Sequence, residues 1–239
     1  MKNIFLLAFT APFFTNCTTD NGNGNPLGKG AEVASRYTLE YPANPDNPFD
    51  VSGILFYDVS EAFVAGNHPV GNTSDVISTV DRVATANLDF MEIVNENYEL
   101  PDTAAINTCL IGDDWTLAEA INRSGLGLVA RNEVIRFSGE LLLLEIDRKP
   151  YEIIYRYILD FEKNIQSNPQ ISAADQRIAL NYSSILRYAY YFANRQKQKP
   201  RDRNWDISIS CLIAAIDGSK TSVAKGVVST VVVSLLKNK

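Results

Sequence analysis

One histidine and three cysteines are all that this 239-residue chain offers for metal or redox chemistry. With a lone imidazole, His68, no metal centre built on two or more histidines can form within one chain. Any Ser-His-Asp or Cys-His relay would have to be assembled around that single ring. His68 precedes Pro69 in a Gly/Asn/Pro turn, the setting of a solvated loop side chain rather than of a general base. No DxDxDG calcium loop is present. Long hydrophobic runs are also missing. The apolar run at 4–14 and the uncharged stretch at 226–236 are eleven residues each, short of the ~20 needed to span a bilayer. Basic residues are in deficit, 22 against 28 acidic, for a formal charge of −6. A general nucleic-acid binder needs a basic face, so that class is excluded. With 13 glycines and 10 prolines, collagen-like and low-complexity arrays are excluded as well.

What remains is ordinary globular composition, 46% hydrophobic and 21% charged, with apolar residues recurring every three or four positions. Pro42, Pro45 and Pro48 forbid a helix at 36–50 and favour an extended, turn-rich lead-in. Asp50 is placed to cap a helix over 51–65, with Gly66 beyond its end. Thr73, Ser74 or Asp75 can start the next helix. There Val76, Val80, Val83, Ala84, Leu88, Met91 and Val94 keep the rhythm over some five turns. A short helix is expected over 103–110, and Asp113 or Asp114 is expected to cap one over 115–123. In 130–148 the stripe of Val134, Phe137, Leu141 and Leu144 is widened by Leu142, Leu143 and Ile146, which predicts burial on most sides. Pro150 opens another helix, and a capping box from Ser172 to Asp175 starts a long one reaching about Gln198. Between Ile207 and Leu236 the only charges are Asp217, Lys220 and Lys225. That pattern predicts an apolar helical hairpin over 205–237. Strand-like alternation does not persist anywhere, so the chain reads as an all-α bundle of about seven to nine helices.

The candidate chemistry is sparse. Asp113 and Asp114 beside Trp115, with Glu119, are the best carboxylates for a glycan or peptide hydrolase, since an aromatic ring can stack on a sugar face. Acids are favoured at a helix start in any case. Asp58 and Glu61, one helical turn apart, read as a solvated face. Gly125-Leu126-Gly127 lacks the third glycine of a nucleotide fingerprint and reads as a helix stop. No cofactor is expected. Tyr182, Tyr188, Tyr190, Tyr191 and Phe192 form a dense aromatic set suited to a core or to a ligand groove. Cys109 and Cys211 are a candidate disulfide in an oxidising compartment, or two separate buried thiols.

The opening carries the strongest signal. Lys2 precedes the apolar run at 4–14, and Cys17 is followed at once by Thr18, Thr19, Asp20, Asn21, Gly22 and Asn23. Thr15 fits the position two before the cysteine, while Phe14 and Asn16 stand where an aliphatic and a small residue are usual. The arrangement resembles a bacterial lipoprotein signal. The resemblance implies cleavage after residue 16, lipidation of Cys17, a membrane partner through that lipid, and residence in the cell envelope, at the outer membrane. Several acyl chains, each methylene worth ~0.8 kcal/mol when buried, hold a soluble domain durably. Residues 17–49 then read as a flexible tether and Pro-rich lead-in, and 50–239 as the helical domain. Separately, Asn47-Pro48-Phe49-Asp50 with Gly53 and Tyr57-Asp58 resembles the opening of an uncharacterised group of Bacteroidetes helical proteins. That resemblance implies no catalytic residue. From the residues alone, Asp50 caps and Gly53 permits close helix packing.

These readings lead to an envelope-anchored binding or structural module whose partner would be a protein or a glycan. Two alternatives follow from other residues. One is a hydrolase using Asp113, Asp114 or Glu119. The other is a membrane-active, toxin-like protein acting through its apolar tail.

Overall fold

The structure, a computed structural model, describes residues 42–94, 98–199 and 205–239. The chain divides into units Met1–Thr38 and Leu39–Lys239, and every described residue belongs to the second. The described residues are all-α, with ten helices and no strand among them: α1 Val51–Ala65, α2 Thr73–Thr85, α3 Leu88–Ile93, α4 Thr103–Leu110, α5 Asp114–Asn122, α6 Leu128–Ile146, α7 Tyr151–Ser167, α8 Ala173–Lys197, α9 Ile209–Ser219 and α10 Val223–Lys237. The leader, Cys17 and the tether up to residue 41 lie outside the described residues.

The helix α8 is the axis of the bundle. It starts where the Ser172 hydroxyl accepts the Asp175 N–H and donates to the Asp175 carboxylate. Every residue from Ile178 to Ala193 is buried, because α1, α6, α7, α9 and α10 all pack against it. The aromatic set expected here as core or groove is core. Phe192 meets Phe56 and Trp205 edge-on, at 6.4 and 5.2 Å between ring centres. Tyr182 is buried with its hydroxyl 2.8 Å from Ser138 Oγ. An all-round buried helix is stable where an isolated amphipathic one would not be, since packing rather than propensity supplies most of its stability.

The helices α9 and α10 form a hairpin against α1, α2, α4, α5 and α8. Val227, Val228, Val231, Val232 and Val233 are wholly buried, at roughly 1.5–3 kcal/mol per side chain removed from water. The hairpin closes on two glycines. A Cβ on Gly218 would sit 2.5 Å from Gly226 Cα and 2.7 Å from Gly226 N, so only hydrogen at this position lets the two backbones approach. No described helix is long and apolar enough to cross a membrane.

Several details differ from the sequence reading. The run 76–94 is two helices, because Asn87 turns extended and its side chain caps α3 by accepting the Phe90 N–H. That break brings the helix count to ten. Asn72, not Thr73, Ser74 or Asp75, caps α2. The wide stripe of α6 is only half used: Val134, Phe137 and Leu141 are buried, but Leu143 and Ile146 are exposed. The helices packed on α6, namely α5, α7 and α8, do not cover its far end. The Pro-rich lead-in, read as extended and turn-rich, is also docked on the bundle from residue 42 onward. Asn44 and Asn47 are buried within a chain of turns, with Asn47 N–H donating to Asn44 O and Asp50 N–H to Asn47 O at 3.0 Å each.

Candidate functional site

Two polar constellations stand out, one internal and one open to solvent. The internal one is what docks the lead-in. Glu162 on α7 and Arg187 on α8 are both fully buried, with Arg187 Nε donating to Glu162 Oε1 at 3.3 Å. Asn44 Nδ2, Asn47 Nδ2 and Ser183 Oγ also donate to the Glu162 carboxylate, at 2.6, 2.9 and 3.0 Å. The other guanidinium nitrogens of Arg187 reach Pro42 O and Asp50 Oδ1. Tyr188 donates its hydroxyl proton to Asp50 Oδ2 at 3.3 Å. Burial is the main influence on Glu162 and lifts its carboxyl above the ordinary range, against the opposing pull of Arg187 and the three donors. Desolvation works against the Arg187 charge, but Glu162 and Asp50 together outweigh it and raise its pKa.

This cluster reassigns Asp50. It occupies the N-cap position of α1, yet its side chain makes no capping hydrogen bond. It is spent on Arg187 instead. Gly53 has the packing role expected of it: its N–H donates to Ser184 Oγ at 3.0 Å, and a Cβ there would lie 2.5 Å from Ser184 O. With both Glu162 oxygens buried and engaged by this chain's own donors, the cluster joins elements rather than facing a cleft.

The solvent-facing constellation lies between α4, α5 and the α9–α10 turn. One cleft of about 320 Å³ has Ala105, Thr108 and Cys109 on α4, Thr116 and Ala120 on α5, and Ile213 and Asp217 on α9. Arg123 and Lys220, the residues that follow α5 and α9, complete its wall. A second, of about 200 Å³, continues past Asp217 and Lys220 to Asp102, Thr221, Lys225 and Ser229. The two share Ala105, Cys109, Asp217 and Lys220. Lys220 pairs with Asp217. The turn from α4 to α5 is tied to the hairpin through Leu110 O, which accepts from Ser210 Oγ and Lys237 Nζ at 3.4 Å each. That fixed turn holds Ile111 in solvent, and Trp115, 71% exposed, follows on the first turn of α5.

The carboxylates singled out from sequence do not converge. Asp113 is the N-cap of α5 in a capping box with Thr116. The Thr116 N–H, at 2.9 Å from Asp113 Oδ1, is the main reason its carboxyl falls below the usual range. Asp114 is exposed, and Glu119 faces Arg123 at 3.8 Å on the surface. None of the three lines either cleft. His68 is a partly buried ring 5.3 Å from Phe63. Gly125 takes φ +82° after α5, and Gly127 is the N-cap of α6 with its N–H on Asp175 Oδ1 at 2.9 Å. Glu61, read as solvated, accepts from Gln196 Nε2 at 3.4 Å. Cys109 and Cys211 are both buried free thiols. Burial is the main reason that the Cys109 thiol is pushed up to about 11, which keeps it neutral and unreactive near neutral pH.

The sequence reading named none of the cationic cleft residues as a site, although Asp217, Lys220 and Lys225 were visible as the only charges in the apolar tail. It also missed Glu162 and Arg187. Their signal was a charge standing inside each apolar stripe, Glu162 beside Phe161 and Arg187 beside Leu186.

The fold and clefts define an all-α helical bundle with a small solvent-facing site. No protein-family model, curated protein or solved structure matches this chain.

Proposed function

We propose that the chain is an envelope-anchored lipoprotein whose helical domain works as a binding module. The observation that carries the reading is the sequence at 1–25: Lys2, eleven apolar residues, Cys17 and then a polar Asn/Gly/Thr run. Lipid on Cys17 would leave 24 residues before the domain begins at Pro42. A fully extended run of that length reaches up to ~80 Å, enough to hold the bundle clear of a membrane surface. The binding half of the reading is supported by the adjoining clefts and by the exposed Ile111 and Trp115 on a fixed turn beside them.

The hydrolase alternative required two carboxyls facing one cleft, and Asp113, Asp114 and Glu119 are instead engaged in capping, exposed, or paired with Arg123. A membrane-inserting tail would have to pull five wholly buried valines of α10 out of the core, against ~1.5–3 kcal/mol for each. The test is fractionation of cells producing the protein. The wild type is expected in the membrane fraction, released by detergent, and Cys17→Ala in the soluble fraction. Equal distribution of the two would refute the anchor.

A further inference from the structure

We infer that the adjoining clefts between α4, α5 and the α9–α10 turn form one binding site for a small organic anion, an apolar body carrying a single carboxylate. The inference rests on the binding-module reading and adds the class of ligand. The floor is apolar: Ala105, Ala120 and Ile213 supply it together with the neutral thiol of Cys109. The charged wall has three cations, Arg123, Lys220 and Lys225, against two acids, Asp102 and Asp217. Arg123 is paired outside the cleft with Glu119 at 3.8 Å, so the open question is which of the remaining cations lacks a partner.

The partners of these groups show which charge is free. Asp217 is taken by Lys220. Asp102 caps α4 by accepting the Ala104 N–H at 3.2 Å. Lys225, partly buried on the first turn of α10, has no ion pair among the described residues. A lysine without a counter-charge at a helix start is an unfavourable placement, since the helix dipole there favours negative charge. A carboxylate seated between Lys220 and Lys225 would supply the missing counter-charge. The larger cleft, about 320 Å³, sits at the low end of ligand pockets, which are typically about 300–1,000 Å³, so a compact monoanion fits better than a polyanion or a chain of sugars.

The experiment is a ¹H–¹⁵N NMR titration of the folded protein with phenylacetate and with octanoate. Phenylacetamide serves as the uncharged counterpart of the first, and Trp115 emission is followed in parallel. Saturable shifts at Cys109, Thr116 and Lys220 are expected with at least one of the carboxylates, and binding of phenylacetamide is expected to be about tenfold weaker or worse. Lys225→Met removes an unpaired side chain, so its fold should be intact, and it should weaken carboxylate binding about tenfold. Lys220→Met should do the same with an unchanged amide spectrum away from the clefts. The proposal is overturned if neither carboxylate saturates, if phenylacetamide binds as well as phenylacetate, or if Lys225→Met binds like the wild type. A chain that fractionates with membranes yet fails this titration loses only the ligand site, whereas one that binds the carboxylate but stays soluble loses only the anchor.

Discussion

Replacing Asn47 by alanine tests whether the lead-in belongs to the cooperative unit. Asn47 is buried, and its side chain makes three contacts. Nδ2 donates to Glu162 Oε1 at 2.9 Å and to Leu180 O at 3.2 Å, while Oδ1 accepts the Phe49 N–H at 2.8 Å. Alanine removes a donor to a fully buried carboxylate, worth about 1.5–3 kcal/mol, and leaves the Phe49 N–H without its side-chain acceptor at about 1 kcal/mol, while Leu180 O keeps the Ser183 hydroxyl. The expected loss is about 3 kcal/mol, a large share of the 5–15 kcal/mol typical of a domain. With a urea slope of roughly 2 kcal/mol/M, the midpoint should fall by about 1.5 M. The assay is urea unfolding followed by far-UV circular dichroism, with Asp46→Ala as the control. Asp46 is exposed and next in sequence, and its replacement should stay within about 0.5 kcal/mol. If Asn47→Ala is as mild as Asp46→Ala, the segment at 42–50 is not held by the Glu162–Arg187 cluster and the reasoning fails.

Glu162→Gln should change the pH dependence of stability. The folded-state pKa of Glu162 is raised by burial, so the folded protein holds that proton more tightly than the unfolded chain does. The contribution of this group therefore favours folding at low pH and is lost as pH rises from the ordinary glutamate range through the raised value. Wild-type urea midpoints should drop across that window relative to those of Glu162→Gln, and parallel profiles would contradict the assignment. Gly218→Ala should cost about 1–3 kcal/mol, because its Cβ meets the Gly226 backbone. Gly139→Ala, in α6 with open space around its Cβ, should instead gain about 0.5–1 kcal/mol from helix propensity, and thermal melts of the pair read the contrast. Trp115→Ala should leave stability within about 0.5 kcal/mol, since the ring is solvent-exposed, and should remove the red-shifted part of the emission while buried Trp205 keeps the blue part.

Local signals in the sequence carried the helices well where the cause of a boundary was itself local. The bounds of α1 and α4, the start of α7 after Pro150 and the Ser172 cap of α8 followed from periodicity and from neighbouring cap residues. The break at Asn87 was hidden because Leu88 and Met91 continue the 3–4 rhythm of α2, although both side chains are exposed. The far end of α6 misled for a related reason: periodicity reports which face is apolar, not whether another element arrives to cover it. Asp50 looked like a cap because a cap is a contact within three residues, whereas its actual partner, Arg187, lies 137 residues away. The cleft was unreadable for the same reason. It is assembled from three separate stretches, and its charged wall appears only when Arg123 is set beside Lys220 and Lys225.

The central claim is that a lipid on Cys17 holds this bundle in the cell envelope. Its most direct test is the intact mass of the detergent-extracted protein. The account predicts a chain that has lost residues 1–16 and carries acyl mass on its new first residue, Cys17. An unacylated polypeptide that still begins at Met1 would contradict it.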